Sequence, residues 1–340
     1  MIDDEHRIRI AGTELEFGCG GHDTVLRAAQ RAGIGFPYEC NVGSCGNCRF
    51  ELIEGEVASA WPEAPALSEK DRQRRRHLGC QSQPRADCLI KLRPTAHYAP
   101  PHRPRRQAAV LNAVRPLTHD LHEFRFELAE AQAFEPGQYA LAWLPGVAGA
   151  RAYSMSNTAE GAEGGRVWDF QVRRVPLGQG SAALFALLVG ARIEIDGPYG
   201  MAWLRRDAPR DILCLAGGSG LAPMVSIARG AMAEPRLAGR RLDFIYGGRT
   251  PTDLCGQDLL AALPGWGERG AYHAFVSTPP ASGWAGGTGF VHEAALRLFG
   301  PELAQREIYF AGPPAMANAV QRMLIDAGVP PTQLHFDPFY

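Results

Sequence analysis

The chain has 340 residues, a formal net charge of -1, 46% hydrophobic and 21% charged residues. That length accommodates two or three domains with a sizeable core, and the balanced charge excludes the basic excess of a nucleic-acid-binding protein. No run of about 18 uncharged apolar residues is present to span a bilayer. The charged N-terminus, MIDDEHRIRI, lacks the apolar core and small-residue site of a secretory signal. A cytoplasmic protein is expected, in which eight cysteines include metal ligands rather than structural disulfides.

In chain order, Arg7–Ile10 and Glu14–Phe17 alternate like a hairpin, and Thr24–Ala32 reads as an amphipathic helix. The segment that follows, PYECNVGSCGNCRF, spaces Cys40, Cys45 and Cys48 as C-x4-C-x2-C, with Cys80 far downstream. This is the plant-type arrangement for a [2Fe–2S] cluster, three thiolates from one loop and a fourth from elsewhere. Gly43 and Gly46 let the backbone take positive φ and turn its amides toward anionic sulfur. A four-cysteine zinc site is the alternative, but such sites pair two short cysteine knuckles and Cys80 has no close partner. Cys19, Cys88, Cys214 and Cys255 are expected as small buried hydrophobes. The unit over Ile8 to Arg93 resembles plant-type ferredoxins, which implies a β-grasp-like fold.

Beside Cys80 runs SEKDRQRRRH, where Ser68 and Asp71 are placed like a capping box. Arg72, Arg74, Arg75 and Arg76 are either a solvated helix face or a patch that steers an acidic redox partner. An acid-free, proline- and arginine-rich stretch, 94–107, reads as a stiff extended linker between a first domain, 1–93, and the rest.

From 108 to 207, short alternating segments separated by Pro and Gly turns predict an antiparallel β-barrel: Leu121–Leu128, Gln138–Leu144 and Trp168–Val175. Within it, Arg151-Ala152-Tyr153-Ser154 resembles the flavin signature of the ferredoxin–NADP reductase superfamily, and the segment from Val172 through Gly178 and Ser181 resembles its second flavin motif. The chemistry agrees. Arg151 suits a pyrophosphate, Tyr153 walls a flat ring, and the Ser154 hydroxyl suits the flavin N5, where hydride is exchanged. Gly178 and Ser181 are expected to open a helix over Ala182–Leu188 whose first amides attract phosphate. The resemblance favours FAD over FMN.

The last part, 208–340, alternates strands and helices and is expected to form a parallel α/β sheet. The apolar strand Asp211–Ala216 runs into Gly217-Gly218-Ser219-Gly220-Leu221-Ala222-Pro223, where glycines admit a pyrophosphate to the backbone and a helix N-terminus. This resembles the superfamily's pyridine-nucleotide turn. The strand Leu242–Tyr246 leads to GGRTPTDLC, where Arg249 suits a 2′-phosphate and Asp253 a free ribose hydroxyl; a single arginine favours NADH over NADPH. Ala311-Gly312-Pro313-Pro314-Ala315-Met316 resembles the family's C-G-P-P-x-M segment, with Ala311 where a cysteine is common. The terminal aromatic Tyr340 is either a flavin cover, as relatives in that superfamily suggest, or core packing.

The whole chain resembles the reductase component of multicomponent bacterial oxygenases. That implies electrons passing from NADH to FAD to [2Fe–2S] and on to an oxygenase or its ferredoxin, Rieske or di-iron component, by a monomer. The alternatives are the reductase of a pyridoxamine-dependent deoxysugar dehydratase, or a non-catalytic redox sensor.

Overall fold

The computed structural model describes residues 5–160 and 164–339. The N-terminal hairpin forms as β1 (Glu5–Ile10) and β2 (Glu16–Gly20), antiparallel with Ile8 opposite Phe17. Helix α1 (Val25–Arg31) is capped by Thr24, whose hydroxyl accepts the Arg27 N–H. It buries Val25 and Leu26 completely, each worth about 1.5–3 kcal/mol. Further strands are β3 (Arg49–Glu54), β4 (Val57–Ser59), β5 (Arg76–Leu78), β6 (Ser82–Pro84) and β7 (Cys88–Lys91). The sheet order β2-β1-β7-β3-β5, with β1 and β7 parallel at its centre, is the β-grasp-like pattern expected. The Ser68–Asp71 capping box is present and opens α2 (Glu69–Gln73).

The proline-rich stretch is not a free extended linker. It makes a short turn at Ala96–Tyr98. The Thr95 N–H donates to Gly35 O and the Gln30 amide to Tyr98 O, which fastens it to the first domain.

Strands β8 (Arg105–Pro116), β9 (Leu121–Leu128), β10 (Tyr139–Trp143), β11 (Arg151–Ser154), β12 (Val167–Arg173) and β13 (Arg192–Tyr199) form an antiparallel sheet in the order β11-β10-β13-β8-β9-β12. A bridge from Met155 to Phe170 joins its two ends, which nearly closes a barrel around Phe124, Phe126, Trp168 and Phe170. Helix α3 (Gln179–Phe185) follows β12. It begins three residues earlier than the sequence suggests: Gly178, one of the two residues expected to open it, is its N-cap, and Ser181 lies within the first turn.

The C-terminal sheet contains β14 (Asp211–Gly217), β15 (Leu242–Gly248), β16 (Gly270–Val276), β17 (Gly287–Thr288), β18 (Arg306–Ala311) and β19 (Leu334–His335), all parallel. Helices α4 (Leu221–Ala233), α5 (Gln257–Ala261), α6 (Trp266–Arg269), α7 (Val291–Phe299) and α8 (Pro314–Asp326) accompany it. The order β17-β16-β15-β14-β18-β19 reverses direction between β14 and β18. A crevice at the carboxyl ends of those two strands is where α/β sheets bind ligands.

Helix α4 is buried on almost every side, the mark of an element enclosed by two layers. One face lies on the parallel sheet. The other meets the barrel, where the Ser226 hydroxyl donates to Asn157 O at 2.6 Å and accepts the Gly137 N–H, and Arg229 donates to Ser156 O. A side chain at Gly230 would strike Pro136 at 2.5 Å.

Candidate functional site

The cysteine loop runs from Cys40 to Cys48 between α1 and β3. Asn41, Gly43 and Gly46 have φ of 54°, 91° and 81°, so the chain turns back on itself repeatedly. The amides of Val42, Ser44 and Cys45 donate to the Cys40 sulfur at 3.4–3.5 Å. The Cys45 thiol and these amides, working against burial, hold the Cys40 thiol below its ordinary range. The Cys48 and Cys80 sulfurs lie 3.4 Å apart.

The thiols are therefore paired, Cys40 with Cys45 and Cys48 with Cys80. A single tetrahedral zinc with bonds of about 2.3 Å needs all four sulfurs within about 3.8 Å of one another. Among the described residues, the one trio of possible ligands within 4.8 Å is His119, Asp120 and Asp253. No three of these thiols meet that spacing, so the arrangement fits a binuclear cluster and not one zinc ion. Asn41 adds to the fit, because its Nδ2 is buried without a partner one residue from Cys40, where an anionic cluster would satisfy it. Arg27 secures this loop through Asn41 Oδ1 and O, both at 3.2 Å. Neither residue stood out in the sequence, since they are far apart in the chain.

On the barrel, Arg151, Tyr153 and Ser154 lie on β11, and Val172 is buried in β12. The Arg151 guanidinium donates to Ala148 O and Ala150 O. Burial raises the Tyr153 phenol to about 12, so it stays neutral. A Cβ at Gly180 would fall 2.9 Å from Arg151 Cγ and 3.1 Å from Tyr153 Oη. Gly180, passed over in the sequence, thus lets the first turn of α3 close upon both. The Ser181 hydroxyl works inside its own turn, accepting the Val175 N–H and bonding Gly178 O.

At the crevice, Gly217, Gly218, Ser219 and Gly220 leave β14, and Gly312 and Pro313 leave β18. Side chains at Gly217 and Gly312 would meet the Met316 sulfur at 2.6 and 2.7 Å, so this thioether sits between the two turns. Gly220 is required by contact, since its Cβ would lie 2.0 Å from Ala311 O. Pro223 falls in the first turn of α4, where no backbone N–H is needed.

Arg249 is exposed, and Asp253 is buried. The Asp253 carboxylate accepts from the Thr250 N–H and from Arg173, at 2.8 Å each. These hold it below its ordinary range in spite of burial. It secures its own turn and a link to the barrel rather than offering a free acceptor. Arg173 also binds Asp120 at 2.6 Å and approaches Gly218; no local pattern in the chain pointed to this bridge. Asp120 and Asp253 are thereby arranged around a guanidinium, with His119 at 3.7 Å from Asp120. Cys19, Cys88 and Cys214 are buried thiols, whereas Cys255 is half-buried against Tyr246. Tyr340 lies outside the described residues; Phe339 packs against the core on one face of the parallel sheet.

Paired thiols, a flavin-type barrel and a dinucleotide crevice in one chain define an iron–sulfur flavoprotein oxidoreductase. Comparison with known families agrees: residues 8–85 match a 2Fe-2S iron-sulfur cluster binding domain, 108–203 an oxidoreductase FAD-binding domain, and 214–322 an oxidoreductase NAD-binding domain. The chain is 40% identical over 334 residues to the ferredoxin–NAD(P)(+) reductase CarAd of Metapseudomonas resinovorans, covering 95% of this chain and 96% of that protein. It is 40% identical over 327 residues to the ferredoxin–NAD(+) reductase component of the alkene monooxygenase system of Xanthobacter autotrophicus, covering 95% and 97%. A solved ferredoxin reductase in carbazole 1,9a-dioxygenase superposes with a TM-score of 0.90 at 36% identity, over 99% of this chain and 98% of that one. The chain belongs to the ferredoxin–NAD(P)(+) reductase family of oxygenase systems, with [2Fe–2S], FAD and a nicotinamide nucleotide as its redox groups.

Proposed function

We propose that the chain takes hydride from NADH in preference to NADPH and works as a cytoplasmic monomer, delivering single electrons to an oxygenase or to that oxygenase's small electron carrier. FAD accepts two electrons and releases them singly, and the cluster carries one at a time. The residues divide the work. Cys40, Cys45, Cys48 and Cys80 hold the irons. Arg151, Tyr153, Ser154, Val172, Gly178 and Ser181 bind and orient the flavin. Gly217–Gly220, Pro223, Gly312 and Pro313 admit the nucleotide. Arg249 is exposed and is the single arginine of the ribose-side turn GGRTPTDLC, which supports NADH.

The observation that carries the reading is the seating of the paired thiols against the same barrel that bears the flavin segment. Such wiring serves to match a two-electron donor to a one-electron acceptor. The test is anaerobic titration with NADH, followed by flavin absorbance and by electron paramagnetic resonance of the reduced cluster, with kcat/KM compared for NADH and NADPH. Zinc in the loaded protein, or a flavin band that NADH never bleaches, would refute it. A higher kcat/KM for NADPH would overturn the nucleotide choice alone.

A further inference from the structure

Tyr139 stands at the seam between the barrel and the cysteine loop. It lies on β10, directly across the antiparallel ladder from Ser154 on β11, so the two side chains share one face. Its hydroxyl donates a 2.6 Å hydrogen bond to the carbonyl oxygen of Glu39. That carbonyl belongs to the peptide whose N–H is on Cys40. A second tyrosine crosses the seam the other way, since the Tyr38 hydroxyl accepts the Gly200 N–H at 2.9 Å. The Tyr199 ring packs between them, with centroids 6.1 Å from Tyr139 and 6.4 Å from Tyr38.

We infer that Tyr139 is the positioning residue for passage of an electron from the flavin to the cluster. Its hydroxyl fixes the Glu39–Cys40 peptide against the barrel, and with it the separation and coupling of the two centres. The inference rests on reading β11 as the flavin strand. The ring alone would pack equally well as phenylalanine. A buried phenol needs a hydrogen-bond partner, and here that partner is the peptide next to a cluster ligand. One electron leaves the reduced flavin and one enters the cluster, with no bond made or broken, so geometry acts on the rate directly.

The test is Tyr139→Phe in the fully loaded protein, mixed anaerobically with NADH in a stopped-flow instrument. Flavin bleaching should stay within about twofold of the parent while the cluster phase falls about tenfold, equivalent to about 1.4 kcal/mol of barrier. Hydrogen exchange in the peptide over Tyr38–Val42 should speed up, and the equilibrium potential of the cluster should not move. Tyr38→Phe, on the same seam, should slow the same phase to a smaller degree and serves if Tyr139→Phe does not fold. An unchanged cluster phase in a folded variant, or a slowing explained by a shifted potential, overturns the inference. Ser154→Ala is measured alongside. If it alters flavin bleaching while Tyr139→Phe leaves the cluster phase untouched, only the inference fails. If bleaching ignores Ser154→Ala, the strand reading and the inference fail together.

Discussion

Asp337 offers a quantitative test of how the C-terminal tail is held. Its Oδ1 accepts the Met201 N–H at 3.1 Å, while Oδ2 is sealed from solvent without a partner. Burial, opposed by the Met201 and Ala202 amides, pushes this carboxyl up to about 7 from an ordinary 3.8. The folded chain thus keeps a proton that the unfolded chain has lost, and stability falls as pH rises from about 4 to about 7, then levels off. Each pH unit is worth about 1.4 kcal/mol, a ceiling of about 4 kcal/mol across the window. Because the residue as a whole is only partly buried, screening reduces the realised loss to about 1–2 kcal/mol. An asparagine side chain at this position mimics the protonated acid and does not titrate. Asp337→Asn should therefore gain stability over the parent by about 1 kcal/mol between pH 5.5 and pH 8, read as the difference in urea midpoints at each pH. A difference that does not change with pH, or that shrinks as pH rises, refutes the reasoning.

Contacts elsewhere in the molecule yield two more tests. Gly220→Ala should drive the β14 turn away from Ala311, a collision costing about 1–3 kcal/mol, and raise the KM for NADH with the bound-flavin spectrum intact; an unchanged KM would show that the turn yields freely. Arg74 and Arg75 are exposed just before β5, which leads to Cys80, so Arg74→Glu with Arg75→Glu should flatten the ionic-strength dependence of transfer to an acidic acceptor, measured as rate against salt; an unaltered slope would leave the run as a solvated face.

The features legible in the sequence are those fixed by local spacing. The C-x4-C-x2-C loop, the Ser68–Asp71 cap and the glycine turn after β14 each state their geometry within a few residues, and the structure forms all three. The rest depends on partners distant in the chain. Arg173 reads as one of two adjacent arginines until the fold brings Asp120 and Asp253 to either side of it. Tyr139 reads as a barrel residue until Glu39 arrives from the first domain. Composition misled at 94–107, because abundant proline reports the lack of a core of its own and says nothing about a neighbouring surface to rest on. The start of α3 differs because Gly178 alone is the cap. Ser181 has the chemistry of a cap, but its hydroxyl is turned back to Val175.

The two junctions of this molecule are built from different parts. Barrel and parallel sheet share α4 as a common wedge, and parting them would strand an apolar helix in water. The first domain instead meets the barrel through side chains, with Tyr139, Leu141 and Tyr199 of the barrel sharing its apolar core and with directed polar contacts added by Arg31 to Asp196 at 2.5 Å and by the two tyrosine hydroxyls. Both junctions thus bury apolar side chains, and the polar contacts at the first fix its register rather than carry it alone.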